Sequence, residues 1–201
     1  MRKKSQEEAS SRSAEKQQMI LKTAFQLFCQ KGREGITMTG IAQTAGISIG
    51  TLYNYYPNKT ALLLDMYGFY FDTIAVPSFE KLKTIKKPFE MPDFFDYLVT
   101  SMVQGHDYAS KKTHDEMMAL THLDEDFKRK NGQCMLKWID QLIPTIDELG
   151  YSVPYLREKL HFILTMVETY AHEVAYQETE GLEYGQIKGT ILAFMNSFLF
   201  R

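Results

Sequence analysis

The sequence predicts an all-α protein in which a small N-terminal helix-turn-helix domain precedes a larger helical domain. Apolar residues recur three and four positions apart between the glycines and prolines, which is the spacing of one face of an α-helix. No segment alternates apolar and polar residues convincingly over the length of a strand, and no strand–helix–strand pattern is present. We therefore expect helices joined by loops, without a β-sheet.

The charged residues are unevenly distributed along the chain. Residues 1–60 contain nine Lys or Arg and four Asp or Glu, whereas residues 61–201 contain 14 and 21. A basic segment in a chain of net charge -2 indicates a nucleic-acid or membrane surface. No apolar run is long enough to span a bilayer, and none follows the basic N-terminal residues as in a secretory signal. We therefore expect a cytoplasmic protein without a membrane partner, with Cys29 and Cys134 as buried thiols.

The N-terminal part divides into an arm and a first helix. Residues 1–12 are polar and charged without an apolar anchor, which predicts a disordered arm. From Ala14 the apolar residues follow helical spacing as far as Gly32, a residue type that commonly ends helices. We expect a first domain over 13–60 and a second over 61–201.

Two short helices are predicted next, each with its own cap. Thr37 or Thr39 can cap a helix that ends at Gly46. Ser48 can then cap a third helix over 49–55, because its hydroxyl can accept a hydrogen bond from a backbone N–H of the first turn. Two short helices joined by a glycine turn, after a longer helix, are typical of a helix-turn-helix.

The rest of the chain is predicted to be helical apart from one loop. Asn58 is expected to cap a fourth helix that runs towards Pro77, and three prolines predict a loop over 77–92. The later helices are expected over about 93–107, 111–121, 123–149, 154–177 and 184–200.

The helix-turn-helix segment has the chemistry of a DNA surface. Residues 35–64 contain no Asp or Glu, in a chain that has 25, and an acid facing phosphate would weaken binding through like-charge repulsion. Gly50 and Thr51 are small enough to let the third helix approach closely, and Ser48 can donate to phosphate oxygens. Lys59, just past this helix, is placed to contact a phosphate. The segment therefore predicts a double-stranded DNA partner.

The same residues resemble a known family. The runs ILKTAFQLFCQKG and ITMTGIAQTAGISIGTLYNYYPNKTALL, from Ile20 to Leu64, are similar to the DNA-binding domain of TetR-family transcriptional regulators. The resemblance covers about a quarter of the chain. It implies a regulator, a repressor in the first instance, that binds a palindromic operator as a homodimer and is released by a small, partly apolar effector.

The resemblance also implies roles for individual residues. Tyr53 and Lys59 would contact the DNA backbone, and Asn54 is the best candidate for a base contact because its amide can pair with adenine. Leu52 and Tyr56 are expected in the core, where they hold the third helix. The full set of predicted DNA-binding residues is Thr37, Thr39, Ser48, Ile49, Gly50, Thr51, Tyr53, Asn54, Tyr55 and Lys59.

Two residues depart from the family pattern. Ile49 stands where many relatives carry Lys or Arg, so one common contact is missing, and contact with a thymine methyl group could replace it. Gly40 lies inside the second helix, where glycine costs about 1 kcal/mol relative to alanine.

In such proteins the last two long helices form the dimer interface. Here these are the helices over 154–177 and 184–200, in which Gly185, Gly189 and Ala193 recur every four residues and would allow close approach. The predicted interface residues are Ile163, Val167, Ile187, Ile191, Phe194 and Phe198. An intrachain core without a partner is the alternative.

The middle helices are expected to enclose the effector cavity. Pockets for apolar ligands are lined by aromatic and apolar side chains with a few polar groups, although such residues more often form plain core. The predicted lining residues are Tyr67, Phe71, Phe95, Met102, His106, Met118, His122, Trp138, Phe162, Met166 and Tyr170.

Three alternatives stand beside the repressor hypothesis. A transcriptional activator would use the same DNA surface, and a helical adaptor would have no small-molecule ligand. An enzyme is disfavoured because the sequence contains no HExxH zinc motif, no CxxC pair and no phosphate-binding glycine loop. In addition, His114 and His122 are eight residues apart, too far along a helix to share one metal ion. We expect no cofactor and no metal site.

Overall fold

The structure of the chain is a computed structural model. It describes the backbone of residues 2–84, 90–177 and 179–200, and the side chains of 10–73, 90–177 and 179–200. The regular structure of these residues is entirely α-helical, as predicted. The described helices are α1 (Arg2–Gly35), α2 (Met38–Thr44), α3 (Ile49–Tyr55), α4 (Lys59–Thr84), α5 (Met91–His106), α6 (Lys111–Leu123), α7 (Glu125–Glu148), α8 (Leu156–Tyr176) and α9 (Tyr184–Leu199).

The chain divides into two compact units. The first unit comprises the chain up to Tyr70 together with Lys112–Lys130, and the second comprises Phe71–Lys111 and the chain from Asn131 onward. This division differs from the boundary predicted after residue 60. The reason is that the first turns of α4 pack on α1, as when Tyr70 stacks on Phe25 with ring centroids 5.4 Å apart.

Helix α1 is longer than the sequence predicted. It begins at Arg2, so residues 2–12 are helical where a disordered arm was expected. Glu, Gln, Lys, Arg and Ala, which dominate this segment, have high helix propensity and can extend a helix that is anchored further along. The predicted stop is present, because Gly32 has φ 68° and interrupts the helical backbone.

The two short helices have the predicted caps. The Thr37 Oγ1 atom accepts a hydrogen bond from the Gly40 N–H at 3.0 Å, so Thr37, and not Thr39, caps α2. A Cβ atom at Gly40 would lie 3.0 Å from this oxygen, which explains why glycine is tolerated inside the helix. Gly46 turns the chain with φ 66° before α3 begins.

Helix α4 also extends beyond its predicted end. The Asn58 side chain accepts from the Ala61 N–H at 2.8 Å and caps it as expected. The helix then continues through Pro77 to Thr84, because a proline removes one backbone hydrogen bond without always ending a helix. Of the loop predicted over 77–92, residues 85–89 lie outside the described residues.

The core of the first unit is built mainly from aliphatic side chains of its short and long helices. Each of these is at most 1% exposed, and burying such a side chain stabilises the fold by about 1.5–3 kcal/mol. They are Ile20, Phe28, Ile41, Leu52, Leu62 and Met66. Cys29 in this unit is exposed, contrary to expectation, because it lies on the outer side of α1, whereas Cys134 of the second unit is buried.

In the second unit α5 packs against α8 and α9. The Lys188 Nζ atom lies 2.7 Å from an Asp96 carboxylate oxygen and donates to the Thr100 hydroxyl at 3.1 Å, which ties α9 to α5. None of the described helices is both long enough and apolar enough to cross a membrane.

Candidate nucleic-acid interface

The N-terminal end of α3 is held in place by its own side chains. The Ser48 Oγ atom accepts from the Thr51 N–H at 3.0 Å and lies 2.8 Å from the Thr51 hydroxyl. This cap satisfies one N–H at the start of the helix and leaves the first turn well ordered. Sequence analysis predicted Ser48 at this position, and the structure agrees.

One face of α3 is exposed and carries four of the ten predicted contact residues. Ile49 is 40% exposed and Tyr53, one turn further along, is 49% exposed. Gly50 and Asn54 are exposed beside them. These four residues lie on a single surface, in the part of the chain that contains no acid. Thr37 and Thr39 of the α2 start are exposed as well.

The opposite face of α3 anchors it to the first unit. Leu52 is fully buried and Tyr56 is 3% exposed, which confirms their predicted place in the core. The Tyr56 hydroxyl accepts from the Gln17 amide at 3.2 Å, and burial raises the pKa of Tyr56 to about 12. Tyr56 is therefore neutral at ordinary pH and acts as a structural residue.

Tyr55 has a partner on α1. Its hydroxyl lies 3.3 Å from that of Ser13, and the side chain is half-buried. This contact, together with that of Gln17 on Tyr56, joins α3 to the first helix at two points. Tyr55 thus helps to orient α3.

Lys59 is engaged by the chain itself. Its Nζ atom donates to the Arg33 carbonyl oxygen at 2.7 Å, where the predicted role was a phosphate contact. A phosphate contact would require this ammonium group to share or exchange its partner. The N–H of the same Arg33 donates to a Glu116 carboxylate oxygen of α6 at 3.1 Å.

Glu116 is a residue whose role sequence reasoning missed. A Cβ atom at position 32 would lie 2.7 Å from a Glu116 carboxylate oxygen and would displace this carboxylate, and the positive φ of Gly32 also favours glycine. Glycine at position 32 was a visible signal for a turn. Nothing in the sequence indicated that Glu116, 83 positions away, would accept a hydrogen bond from the Arg33 N–H.

The predicted effector residues do not form one group. Several are ordinary core: Tyr67 packs edge-on against Phe127 at 6.0 Å, and Phe71 packs on Trp138 at 5.2 Å. Phe95, Met102 and His106 are buried and Met118 is half-buried.

Two of the predicted effector residues lie on the surface of the protein. His122 is exposed near the end of α6, and Phe162 is 52% exposed on α8. Both were chosen by residue type, His122 as a polar group and Phe162 as an aromatic ring, and residue type does not show whether a side chain faces the interior. By contrast, Met166 and Tyr170 line a cavity of about 340 Å³ beside α9.

His106 makes a buried contact with a carboxylate in the second unit. Its Nδ1 atom lies 2.9 Å from the Met102 carbonyl oxygen, and its Nε2 atom lies 3.5 Å from a Glu168 oxygen. Burial acts to lower the pKa of His106, but the hydrogen bond and negative charge of Glu168 outweigh it, so the pKa is raised above its ordinary value.

Replacing Glu168 by glutamine should reverse that shift. Without the carboxylate, burial dominates and the pKa of His106 should fall below the ordinary histidine value of about 6.5. In the wild type the raised pKa stabilises the fold fully below about pH 6.5, and this contribution is lost as pH rises through the folded-state pKa. NMR titration of the His106 ring and urea unfolding between pH 5 and 8 measure both effects. Glu158→Gln, an exposed change on the same helix, should alter neither, and an unchanged His106 pKa in Glu168→Gln would contradict the assignment.

The predicted dimer residues fall into two groups. Ile163 and Val167 are fully buried within this chain, so they are not available to a partner as the sequence predicted. Helical spacing alone cannot tell the face that packs on the same chain from the outer face. Ile191 is 8% exposed, and Ile187 is half-buried beside the cavity.

The other two predicted dimer residues belong to an exposed aromatic cluster. Phe194 is 40% exposed and stacks on Phe198 at 5.2 Å, and Phe162 of α8 packs on Phe198 at 5.4 Å. These three phenylalanines form an apolar patch on the outer face of α8 and α9.

Comparisons with known proteins match the helix-turn-helix most strongly. Residues 20–66 match the family model "Bacterial regulatory proteins, tetR family". YuxN of Bacillus subtilis (strain 168), described as an uncharacterized HTH-type transcriptional regulator, is 30% identical over 135 residues, which is 64% of this chain and 45% of YuxN. The HTH-type transcriptional repressor KstR of Mycolicibacterium smegmatis is 32% identical over 65 residues, 32% of each chain.

The matched regions span less than half the length of these curated relatives. Among solved structures, Salmonella enterica GusR superposes with a TM-score of 0.61 at 20% identity, over 92% of this chain and 95% of GusR. At that identity the likeness concerns the fold, and it extends over both units.

Proposed function

We propose, from the premise that this chain belongs to the tetR family of bacterial regulatory proteins, that it is a transcriptional regulator and not an enzyme. It binds double-stranded DNA in a sequence-specific manner. The observation that carries this proposal is the exposed, acid-free face of α3 around Ile49 and Tyr53, set on the buried anchors Leu52 and Tyr56. A protein whose α3 enters a major groove needs such a surface, because phosphates repel acids and small residues permit close approach.

The salt dependence of DNA binding tests this proposal. Binding sites would be selected from random duplexes with the full chain, and the affinity for the selected site measured by fluorescence anisotropy. We expect the selected site to be palindromic and the affinity to fall steeply between 50 and 200 mM salt, as released counterions require. A helical adaptor would select no sequence and show no salt slope, which would refute the proposal.

The proposed regulator is a homodimer that pairs through α8 and α9. Phe162, Phe194 and Phe198 supply an exposed apolar patch on these helices. Apart from the adjacent residues and the backbone of α9 itself, no heavy atom of the described chain lies within 4 Å of where a Cβ would stand at Gly185 or Gly189, so a partner helix can approach closely there. A dimer would present two α3 helices to the two halves of a palindrome.

Replacing Phe194 by aspartate should dissociate this dimer. A charge at the centre of an apolar interface is desolvated without a partner, so we expect the dissociation constant to rise by about 100-fold or more. Sedimentation velocity at micromolar concentration measures the change. Leu123→Asp, at a 74% exposed site on α6, is the matched control and should leave the dimer intact. A Phe194→Asp protein that sediments as a dimer would exclude this interface.

In this proposal the regulator represses transcription, and a small-molecule effector releases it from DNA. The name of the KstR relatives supports repression, and activation is the alternative. A reporter gene placed behind the selected site distinguishes them, since loss of the regulator raises expression in one case and lowers it in the other. A regulator that binds chromosomal DNA in a bacterium acts in the cytoplasm.

A further inference from the structure

The first helix extends well beyond the core of the first unit towards its N-terminus. Within the part of α1 whose side chains the structure describes, Ile20 is the first buried residue, and residues 10–19 are exposed apart from the half-buried Gln17. The backbone is nevertheless helical from Arg2 onward. Apolar burial therefore does not hold the stretch over 10–19 in place, and its polar contacts do so instead.

These polar contacts place the stretch beside α3. The Ser13 hydroxyl lies 3.3 Å from the Tyr55 hydroxyl at the C-terminal end of α3. One turn further along α1, the Gln17 amide donates to the Tyr56 hydroxyl at 3.2 Å and to an Asp65 carboxylate oxygen at 3.5 Å. Because Tyr55 is one of the predicted DNA-contacting residues, the exposed part of α1 around Ser13 continues the surface that α3 presents.

Two basic side chains flank these contacts. Arg12 precedes Ser13 and Lys16 precedes Gln17, so the two bases are four residues apart and lie on neighbouring turns of one helix face. Both are exposed, and the structure gives neither of them a hydrogen bond or an ion pair with any side chain that it describes. Their charges are therefore open to an anionic partner.

Lys16 lies on the side of α1 that faces away from α4. The Phe25 ring stacks on that of Tyr70 of α4, with ring centroids 5.4 Å apart. Phe25 follows Lys16 by nine residues, which is about two and a half turns of an α-helix. The two side chains therefore leave α1 in opposite directions, and α4 does not cover Lys16.

The acids closest to this face are engaged with other groups. A Glu15 carboxylate oxygen accepts from the Ser11 hydroxyl at 3.1 Å. The Asp65 carboxylate lies 3.5 Å from the Lys130 Nζ atom in addition to its contact with α1. Residues 35–64 contribute no acid at all. The surface formed by this face of α1 and by α3 is therefore complementary in charge to phosphate.

We infer that this face of α1 binds the phosphate backbone of DNA, beside the base pairs that α3 reads. Arg12 and Lys16 each contact a phosphate, and the Ser13–Tyr55 contact fixes their position relative to α3. The inference rests on the proposed function, because it extends the DNA surface from α3 to α1. Phosphate contacts position a protein on the duplex without reading its sequence, so these two residues contribute affinity and not specificity.

The salt dependence of DNA binding by the full chain tests the inference. Affinity falls with salt on a double-logarithmic plot, with a slope of about 0.9 for each phosphate contact. We expect the slope to decrease in magnitude by about 0.9 per bound subunit in Lys16→Gln, and by about 1.8 in the double variant Arg12→Gln with Lys16→Gln.

Lys22→Gln is the matched control on the same helix. Lys22 is exposed and follows Ser13 by nine residues, so it lies on the opposite side of α1 from the contact with α3. Its replacement removes the same charge and should leave the slope unchanged. An unchanged slope in the double variant, or an equal decrease in Lys22→Gln, would overturn the inference.

Two further measurements separate direct phosphate contact from an effect on α3. Site selection with the double variant should return the same DNA site as the wild type, because no base contact is lost. Chemical ethylation of the phosphates should identify positions whose modification weakens binding by the wild type but not by the double variant. A changed site preference, or the same sensitive phosphates in both proteins, would show that α1 acts only by holding α3 and would overturn the inference.

Failure of this inference is distinguishable from failure of the proposed function. A wild type that binds its selected site with a steep salt slope retains the regulator, whatever the double variant does. A wild type that selects no site and shows no salt slope would refute the proposed function, and this inference with it.

Discussion

Replacing Asn54 by aspartate is expected to weaken DNA binding about 100-fold, which corresponds to about 2.7 kcal/mol. The two side chains have nearly the same shape, so the change adds a negative charge and little else. Asn54 is exposed on α3, and the 30 residues from 35 to 64 around it contain no Asp or Glu. A carboxylate there would face phosphates and would also be unable to donate to a base edge.

The measurement is fluorescence anisotropy on the selected DNA site at one fixed salt concentration. Gln133→Glu, at an exposed position on α7, adds the same charge outside the proposed interface and should bind as the wild type does. Melting temperatures should be unchanged in both variants, because surface substitutions of this kind usually alter stability by less than about 0.5 kcal/mol. Full affinity in a folded Asn54→Asp protein would remove α3 from the interface.

Replacing Leu52 by alanine should have the largest effect on stability of the changes considered. Leu52 is fully buried on the inner face of α3, and truncating such a leucine costs about 2–5 kcal/mol through lost burial and the cavity that is left. Urea unfolding followed by circular dichroism measures the free energy of unfolding. Leu136→Ala, at a 41% exposed site on α7, makes the same chemical change and should cost much less.

The Leu52 variant also tests how α3 is held. If burial of Leu52 keeps α3 in position, DNA affinity should fall even at temperatures where the protein is folded. The remaining anchors are Tyr56 and the contact of Tyr55 with Ser13. A stable Leu52→Ala protein that binds DNA normally would show that these anchors suffice.

Local chemistry accounts for the successful predictions. The caps of α2 and α3, the start of α4 at Asn58 and the turn at Gly46 each depend on residues within three or four positions of one another. A hydroxyl or amide side chain satisfies the first N–H groups of a helix wherever it stands, so the sequence is sufficient. The assignment of Leu52 to the core and of Tyr53 to the DNA-facing surface came instead from the family resemblance.

Predictions that needed distant contacts were less successful. The family resemblance placed Ile163 in the dimer interface, and its aromatic ring made Phe162 a candidate for the pocket, but Phe162 is exposed and Ile163 is buried. Phe162 and Ile163 are adjacent and both apolar, so residue type gave no basis for choosing which of them faces the core. The length of α1 and α4 was also underestimated, because polar composition and a proline disfavour a helix locally without preventing it.

What the sequence by itself determined is therefore the all-α class, the helix-turn-helix and the chemistry of its outer face. These depend on backbone capping and on charge, which act over one or two turns. Only the tertiary structure decided that Lys59 binds the Arg33 carbonyl oxygen and Glu116 the Arg33 N–H, and that Met166 and Tyr170 line a cavity beside α9. Such placements depend on how helices pack, and packing brings together residues whose separation along the chain carries no signal.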